Sequence, residues 1–259
     1  MGTQSQAAID LEPRFRNLRI WNLAVGVVLA VQAVAVAVLA NDFALPVVAT
    51  WLSGPPGTEP SVTKIGEIPL GWGVFAFLAL SALALLLIAS PGIFGWYKRN
   101  LLEQRNYGRW IEYSVTSSIM IMLIVMICGV SDLAAIMAVF GINACMILFG
   151  LLMEKYEKPG KPSWLSFLFG CFAGIVPWII VLLYVWSPGF GEREAPGFVF
   201  GIIASLFVFF NIFAVNMVLQ YKQVGKWRDY LFGEKVYILL SLTAKALLAW
   251  QVFSATLAG

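Results

Sequence analysis

The sequence predicts an all-α membrane protein, a bundle of seven spanning helices. Three observations lead there. Of 259 residues, 60% are hydrophobic and only 12% are charged, where a soluble domain carries about 25%. Mean hydropathy is +0.84. Seven apolar runs also reach the roughly 20 residues that a hydrocarbon core requires.

The runs are Leu18–Leu39, Leu70–Ala89, Tyr107–Val130, Leu133–Met153, Trp164–Trp186, Gly197–Tyr221 and Leu231–Leu257. Ahead of the first, Met1 to Arg19 is polar and basic. It lacks the short apolar core of a secretory signal, so no cleaved leader is expected. Gly129-Val130-Ser131-Asp132 joins the third run to the fourth, which makes them a tight antiparallel pair. The first connection, Asn41 to Pro69, is longer and carries the turn signal Gly54-Pro55-Pro56-Gly57. The runs Val47–Leu52 and Ser61–Ile65 flank that turn and are expected to pair as a short β-hairpin over the bundle. No soluble domain and no convincing internal repeat is apparent. Residues 1–259 therefore read as a single domain, with 41–69 as its outer loop.

Loop charge sets the orientation. Short cytoplasmic loops carry the excess of Lys and Arg. One side has Arg14, Arg16 and Arg19, then Lys98, Arg99, Arg105 and Arg109, then Lys155, Lys158 and Lys161, then Lys222, Lys226, Arg228 and Lys235. The other side has only Lys64 and Arg193. The N-terminus is thus expected in the cytoplasm and the C-terminus outside. The basic clusters read as solvated residues that set topology and touch anionic lipid, not as a nucleic-acid surface. Cys128, Cys145 and Cys171 all lie in apolar stretches. An odd, buried set suits packing better than a disulfide framework. There is no histidine, and no metal site is expected.

Lys245 is the residue that needs a use. It sits inside the last apolar run, where a charged amine costs about 2.5–3.5 kcal/mol. Glu112 is the one acid well inside another run. Three readings are open. Lys245 is an ion-pairing anchor, part of an ion or substrate path, or a nucleophile that forms a Schiff base with an aldehyde. A desolvated site favours the neutral amine that the last reaction needs. The protonated product is again a buried cation and needs an anion, and Glu112 is the available one. On a lysine in a seven-helix bundle, a conjugated aldehyde points to retinal.

The third and seventh runs point the same way across the membrane, and helical side chains lean toward the N-terminus. Lys245 and Glu112 therefore both lean toward the cytoplasmic side. Ser241 lies four residues before Lys245, on the same face. Ser81 in the second run and Ser114, Thr116, Ser117 and Ser118 in the third add hydroxyls. Ser117, five residues beyond Glu112, is the favoured partner among those four. Many such hydroxyls simply bond their own helix backbone. For a polyene slot the candidates are Tyr113, Asn143, Met146, Ile147, Pro177, Trp178, Phe207, Phe210 and Trp250. A proline kink at Pro177 would open space. Each aromatic taken alone also fits lipid-facing or packing bulk. Asn143, Asn211, Asn216 and Gln32 are expected to bond between helices.

Several stretches resemble the heliorhodopsins, retinal proteins of inverted membrane orientation. They are Asn41–Pro46 with Gly54–Thr58, Arg109–Ser114 with Ser117–Ile121, Phe140–Gly150, Gly174–Ile179, Pro196–Val199 and Ser241–Lys245. The resemblance implies a rhodopsin-like bundle, all-trans retinal on Lys245 and Glu112 as counterion. It implies Ser241 where light-driven pumps carry a second aspartate, and Phe210 where they carry a tryptophan. It also implies the outer hairpin, a homodimer, and a slow-cycling light sensor without pumping or enzymatic activity. One departure stands out. The family commonly has two histidines near the Schiff base, and here the second-run position is Leu85. A proton that leaves the imine must go elsewhere.

The leading function is thus a photoreceptor. Inside the helices no acid lies outward of Lys245, which argues against a vectorial proton path. A light-driven transporter or channel, a light-dependent regulator of a soluble enzyme, and a retinal-free scaffold are the competing classes. Neutralising Glu112 is expected to shift the colour red or to ease release of the imine proton.

Overall fold

The computed structural model describes residues 2–186 and 197–257. The elements, in chain order, are α1 (Gly2–Leu39), β1 (Ala44–Trp51), β2 (Ser61–Pro69), α2 (Leu70–Ala89), α3 (Pro91–Leu102), α4 (Tyr107–Ile127), α5 (Leu133–Tyr156), α6 (Leu165–Trp186), α7 (Gly197–Tyr221) and α8 (Tyr230–Leu257). Among the described residues, seven helices are long and apolar enough to cross a membrane: all of these except α3. Arg193 and Pro196, used above for orientation and for the resemblance, lie outside the described residues.

Two helical stretches exceed the expectation. α1 begins at Gly2, not Leu18, and its first turns are polar. Hydropathy marks only the part of a helix that fits in lipid, so an extension of polar sequence escapes it. α3 occupies what reads as a basic loop. Pro91 opens it at a position where the missing N–H costs nothing, and it buries Tyr97, Asn100 and Leu101.

The hairpin forms, with longer strands than expected. β1 and β2 pair antiparallel from Ala44 opposite Pro69 to Trp51 opposite Ser61, with a bulge between Val47 and Val48. Gly57 takes a φ of +100° in the turn, a conformation that suits a residue without Cβ. The Thr58 backbone N–H closes the turn on Pro55 O at 3.1 Å. β1 turns Leu45, Val47 and Ala49 inward. Its far edge is fastened to the α4–α5 turn by the Val48 N–H donating to Ser131 O at 2.8 Å.

The bundle packs α1 on α2 and α8, α4 on α2 and α5, α5 on α6, and α7 on α8. Leu29, Val74, Phe77, Val125, Leu248 and Phe253 are fully enclosed. Val31, Val38, Phe172, Leu183 and other large apolar side chains point outward, as a lipid-facing surface requires. Small residues let helices close up, since packing drives association in lipid. A Cβ on Gly150 would lie 2.4 Å from the Trp110 ring, joining α4 to α5. A Cβ on Gly174 would lie 2.4 Å from Met146 Sδ, joining α5 to α6.

Candidate functional site

Lys245 on α8 and Glu112 on α4 meet inside the bundle. Their side chains are only 4% and 9% exposed. Lys245 Nζ donates to Glu112 Oε1 at 2.8 Å and to Ser241 Oγ at 2.8 Å. The same Oε1 accepts Ser81 Oγ at 2.5 Å and Thr116 Oγ1 at 2.8 Å. One carboxylate oxygen thus collects a cation and two hydroxyls from three helices. Breaking a buried pair by removing one partner leaves an uncompensated charge, so each half holds the other in place.

The hydroxyl expected from α4 is a different one. Ser117 donates to Tyr113 O at 2.7 Å and accepts Asn143 Nδ2 at 2.9 Å. Thr116 reaches Glu112 because it is the i+4 neighbour, one turn along the same face. Ser117 still borders the cavity beside the lysine. The Tyr113 ring lies under Lys245 Nζ, 4.8 Å from its centroid. Its hydroxyl donates to Tyr237 O at 3.0 Å.

A cavity of about 280 Å³ opens from Lys245 between α4, α5, α6, α7 and α8. Binding sites for small molecules start near 300 Å³. Thr116, Ser117 and Ser241 give it a polar part near the lysine, and Trp178, Phe207 and Phe210 give it an aromatic wall. Trp178 meets Phe207 edge-on at 5.1 Å and Phe210 at 5.6 Å. Tyr113, Met146 and Ile147 also line it. An elongated apolar aldehyde fits this combination of reactive amine, hydroxyls and aromatic walls. Three expected pocket residues are not among the lining. Pro177 is buried in α6. Asn143 supports Ser117 and also donates to Ser118 Oγ at 3.0 Å. Trp250 is 40% exposed and donates to Gln32 Oε1 on α1 at 3.2 Å. Five residues past Lys245, it has turned off the lysine's face. Gln32, Asn143 and Asn216 do bond beyond their own helices. Asn211 instead donates to Phe207 O in its own helix at 2.8 Å.

A second ionic cluster overturns part of the charge reading. Arg109, counted above as a solvated loop residue, is 5% exposed. Its Nη1 pairs with Glu234 Oε1 and its Nη2 with Glu154 Oε1. Glu154 Oε2 accepts the Asn106 N–H at 2.9 Å and Trp110 Nε1 at 2.6 Å. Asn106 Nδ2 donates to Glu234 Oε2 at 2.8 Å. Asn106 also caps α4 by accepting the Arg109 N–H at 3.0 Å. Sequence reasoning missed both acids because Glu154 falls one residue past the expected end of its run and Glu234 near the start of its own. A usable signal was present: one arginine and two acids at matching depth near the same ends of three runs. Arg14 with Asp229, Lys98 with Glu12 and Arg105 with Glu103 do form surface pairs, as a solvated basic face predicts.

A small cavity of about 20 Å³ lies between the two clusters, bordered by Glu112, Ser241, Arg109 and Glu234 together with Asn22, Asn106 and Tyr97. Burial pushes the Tyr97 hydroxyl up to about 12, so it stays a neutral phenol there.

Seven spanning helices whose last carries a buried lysine into an aromatic cavity define the rhodopsin class of membrane protein. The fold is similar to that in the crystal structure of the transmembrane domain and linker region of Salpingoeca rosetta rhodopsin phosphodiesterase, with a TM-score of 0.57 over 98% of this chain and 85% of that one. Identity is 12%, so the likeness is one of fold. No curated protein matches the sequence. The heliorhodopsin family model matches residues 18–257, and the chain belongs to that family. It is an integral membrane protein, a light-sensing protein with a retinal chromophore.

Proposed function

We propose that the protein is a non-enzymatic photoreceptor with all-trans retinal attached to Lys245 as a protonated Schiff base and Glu112 as its counterion. The observation that carries this reading is the 2.8 Å contact from Lys245 Nζ to Glu112 Oε1 beside the aromatic cavity. Retinal supplies a light-driven change of shape next to Nζ. The chain's residues do the rest. Glu112 holds the positive charge at Nζ, and Ser81 and Thr116 hold Glu112 by donating to the same oxygen. Ser241 offers Nζ a neutral second partner. Trp178, Phe207 and Phe210 exclude water from the far part of the cavity.

Tyr113 bridges the site to α8 through Tyr237 O, so a displaced Nζ is felt by the α4–α8 contact. Such a contact between two packings is a means of switching. The cycle is slow and moves no ion across the membrane. Asp132, the acid nearest the outer end of α4, caps α5 at the surface by accepting the Ala135 N–H. The N-terminus faces the cytoplasm by the loop charges, residues 1–259 act as one domain, and the chain pairs as a homodimer. The basic cytoplasmic loops are where a signalling partner would read the switch.

The test is expression with added retinal. Wild type is expected to show a visible band, and Lys245→Ala none. A coloured Lys245→Ala protein, or a colourless wild type, overturns the reading. Light-driven pH changes in vesicles holding the wild type would replace the receptor with a transporter.

A further inference from the structure

The sequence holds no histidine, and the second buried cluster has one more acid than base among the described residues. We propose that Glu234, in the Arg109 cluster, is the proton-accepting site of this protein and takes up the proton that leaves Lys245 Nζ. This rests on the receptor reading above.

Charge balance is the first argument. Lys245 and Glu112 form a neutral pair, whereas Arg109 faces two carboxylates and the cluster is formally −1. One added proton makes it neutral, while Glu112, left beside a neutral Nζ, keeps Ser81 and Thr116 as donors to its charge. The two acids are not equivalent. Glu154 accepts from Arg109 Nη2, the Asn106 N–H, Trp110 Nε1 and Tyr230 OH. Among the described residues, Glu234 accepts from Arg109 Nη1 and Asn106 Nδ2 alone. Donors to the ionised form hold it ionised, so Glu234 is the acid that takes a proton. Glu112 still holds two hydroxyl donors, Ser81 and Thr116, on its Oε1 after Nζ has lost its proton.

Connectivity is the second argument. The 20 Å³ cavity borders Glu112, Ser241 and Glu234 at once, and about 10–15 Å³ is enough for one water. Arg109 borders the same space, and its buried Nε has no partner among the described residues. The charged and titratable groups around Glu234 are Arg109, Glu112 and Tyr113 from α4, Glu154 from α5, Tyr97 from α3, and Tyr230 and Tyr237 from α8. From α1 comes Asn22, and the α2 residues that border the cavity, Ala84, Leu85 and Ile88, are apolar. The step balances without a co-reactant. Nζ loses a proton and keeps the electron pair, and the Glu234 carboxylate gains that proton and becomes a neutral acid. The return step reverses both.

Infrared spectroscopy of the full chain tests this in two arms. Without retinal, acidification is expected to raise a buried carboxylic-acid band that Glu234→Gln removes and Glu154→Gln retains. With retinal, light is expected to raise the same band, which disappears in Glu234→Gln and returns at a shifted frequency in Glu234→Asp. The aspartate variant keeps the test open if the glutamine variant does not fold. A band that follows Glu154 or Glu112, in either arm, overturns the assignment. A coloured protein whose light-induced spectrum lacks any Glu234 band overturns this inference alone. A wild type that stays colourless overturns the receptor reading and this inference with it.

Discussion

Glu112 and Arg109 stand three residues apart on α4, yet the clusters they anchor are built on different plans. Around Glu112, one ammonium and two hydroxyls converge on a single oxygen, at the edge of a cavity with room for a ligand. Around Arg109, a planar fork spans two carboxylates, and indole, amide and phenol donors fill the remaining sites. The fork also lies 3.9 Å from the centre of the Tyr237 ring. A guanidinium stays charged and fixes geometry, while an ammonium shifts and reacts readily. The first plan suits a site that gives up a proton, and the second suits a clamp on α4, α5 and α8 whose surplus carboxylate can receive it.

The largest test of that contrast is Arg109→Leu. It strands two buried carboxylates, and a loss of about 3–5 kcal/mol is expected, read as a lower melting temperature in detergent or as failure to accumulate. An unchanged melt would remove the clamp from the picture. Glu112→Gln comes next. It removes a charge interaction on the order of a few kcal/mol, and a red-shifted band or a readily deprotonated linkage is expected in the visible spectrum. A spectrum and titration like wild type would end the counterion role. Gly150→Ala sharpens the comparison by moving Trp110, which donates to Glu154. Overpacking costs about 1–3 kcal/mol, so melting should drop while colour stays. Trp110 and Gly150 also line the ligand cavity, so an unchanged colour shows that the clusters are separable, and a changed one shows that the cavity wall has moved. Smallest is the pair Thr116→Val and Ser117→Ala. Only Thr116 touches Glu112, so its variant should shift the band more than Ser117→Ala does. The reverse order would restore Ser117 as the counterion's partner.

The seven spans were legible because lipid leaves the backbone no partner but itself, so each span must announce itself as a long apolar run. Only the ends differed, where polar turns continue α1 and form α3. Lys245 and Glu112 were legible for the same reason, as charges inside such runs. The Arg109 cluster was not, because Arg109, Glu154 and Glu234 each sit near the end of a run, where a charge ordinarily meets water. Thr116 against Ser117, and Trp250 against the cavity wall, were open to helical spacing: Thr116 lies four residues from Glu112 on one face, and Trp250 five residues past Lys245 is off its face.

Composition and hydropathy alone determined a seven-span bundle with one lysine and one acid to account for, since burying a charge in hydrocarbon is costly wherever it occurs. Tertiary packing decided the partners. That Ser81 reaches Glu112, and that an arginine near a helix start is enclosed by two acids, depend on how α2, α4, α5 and α8 are rotated and how closely Gly150 lets α4 and α5 approach. Those quantities are set by side chains distant in the chain, and no local pattern encodes them.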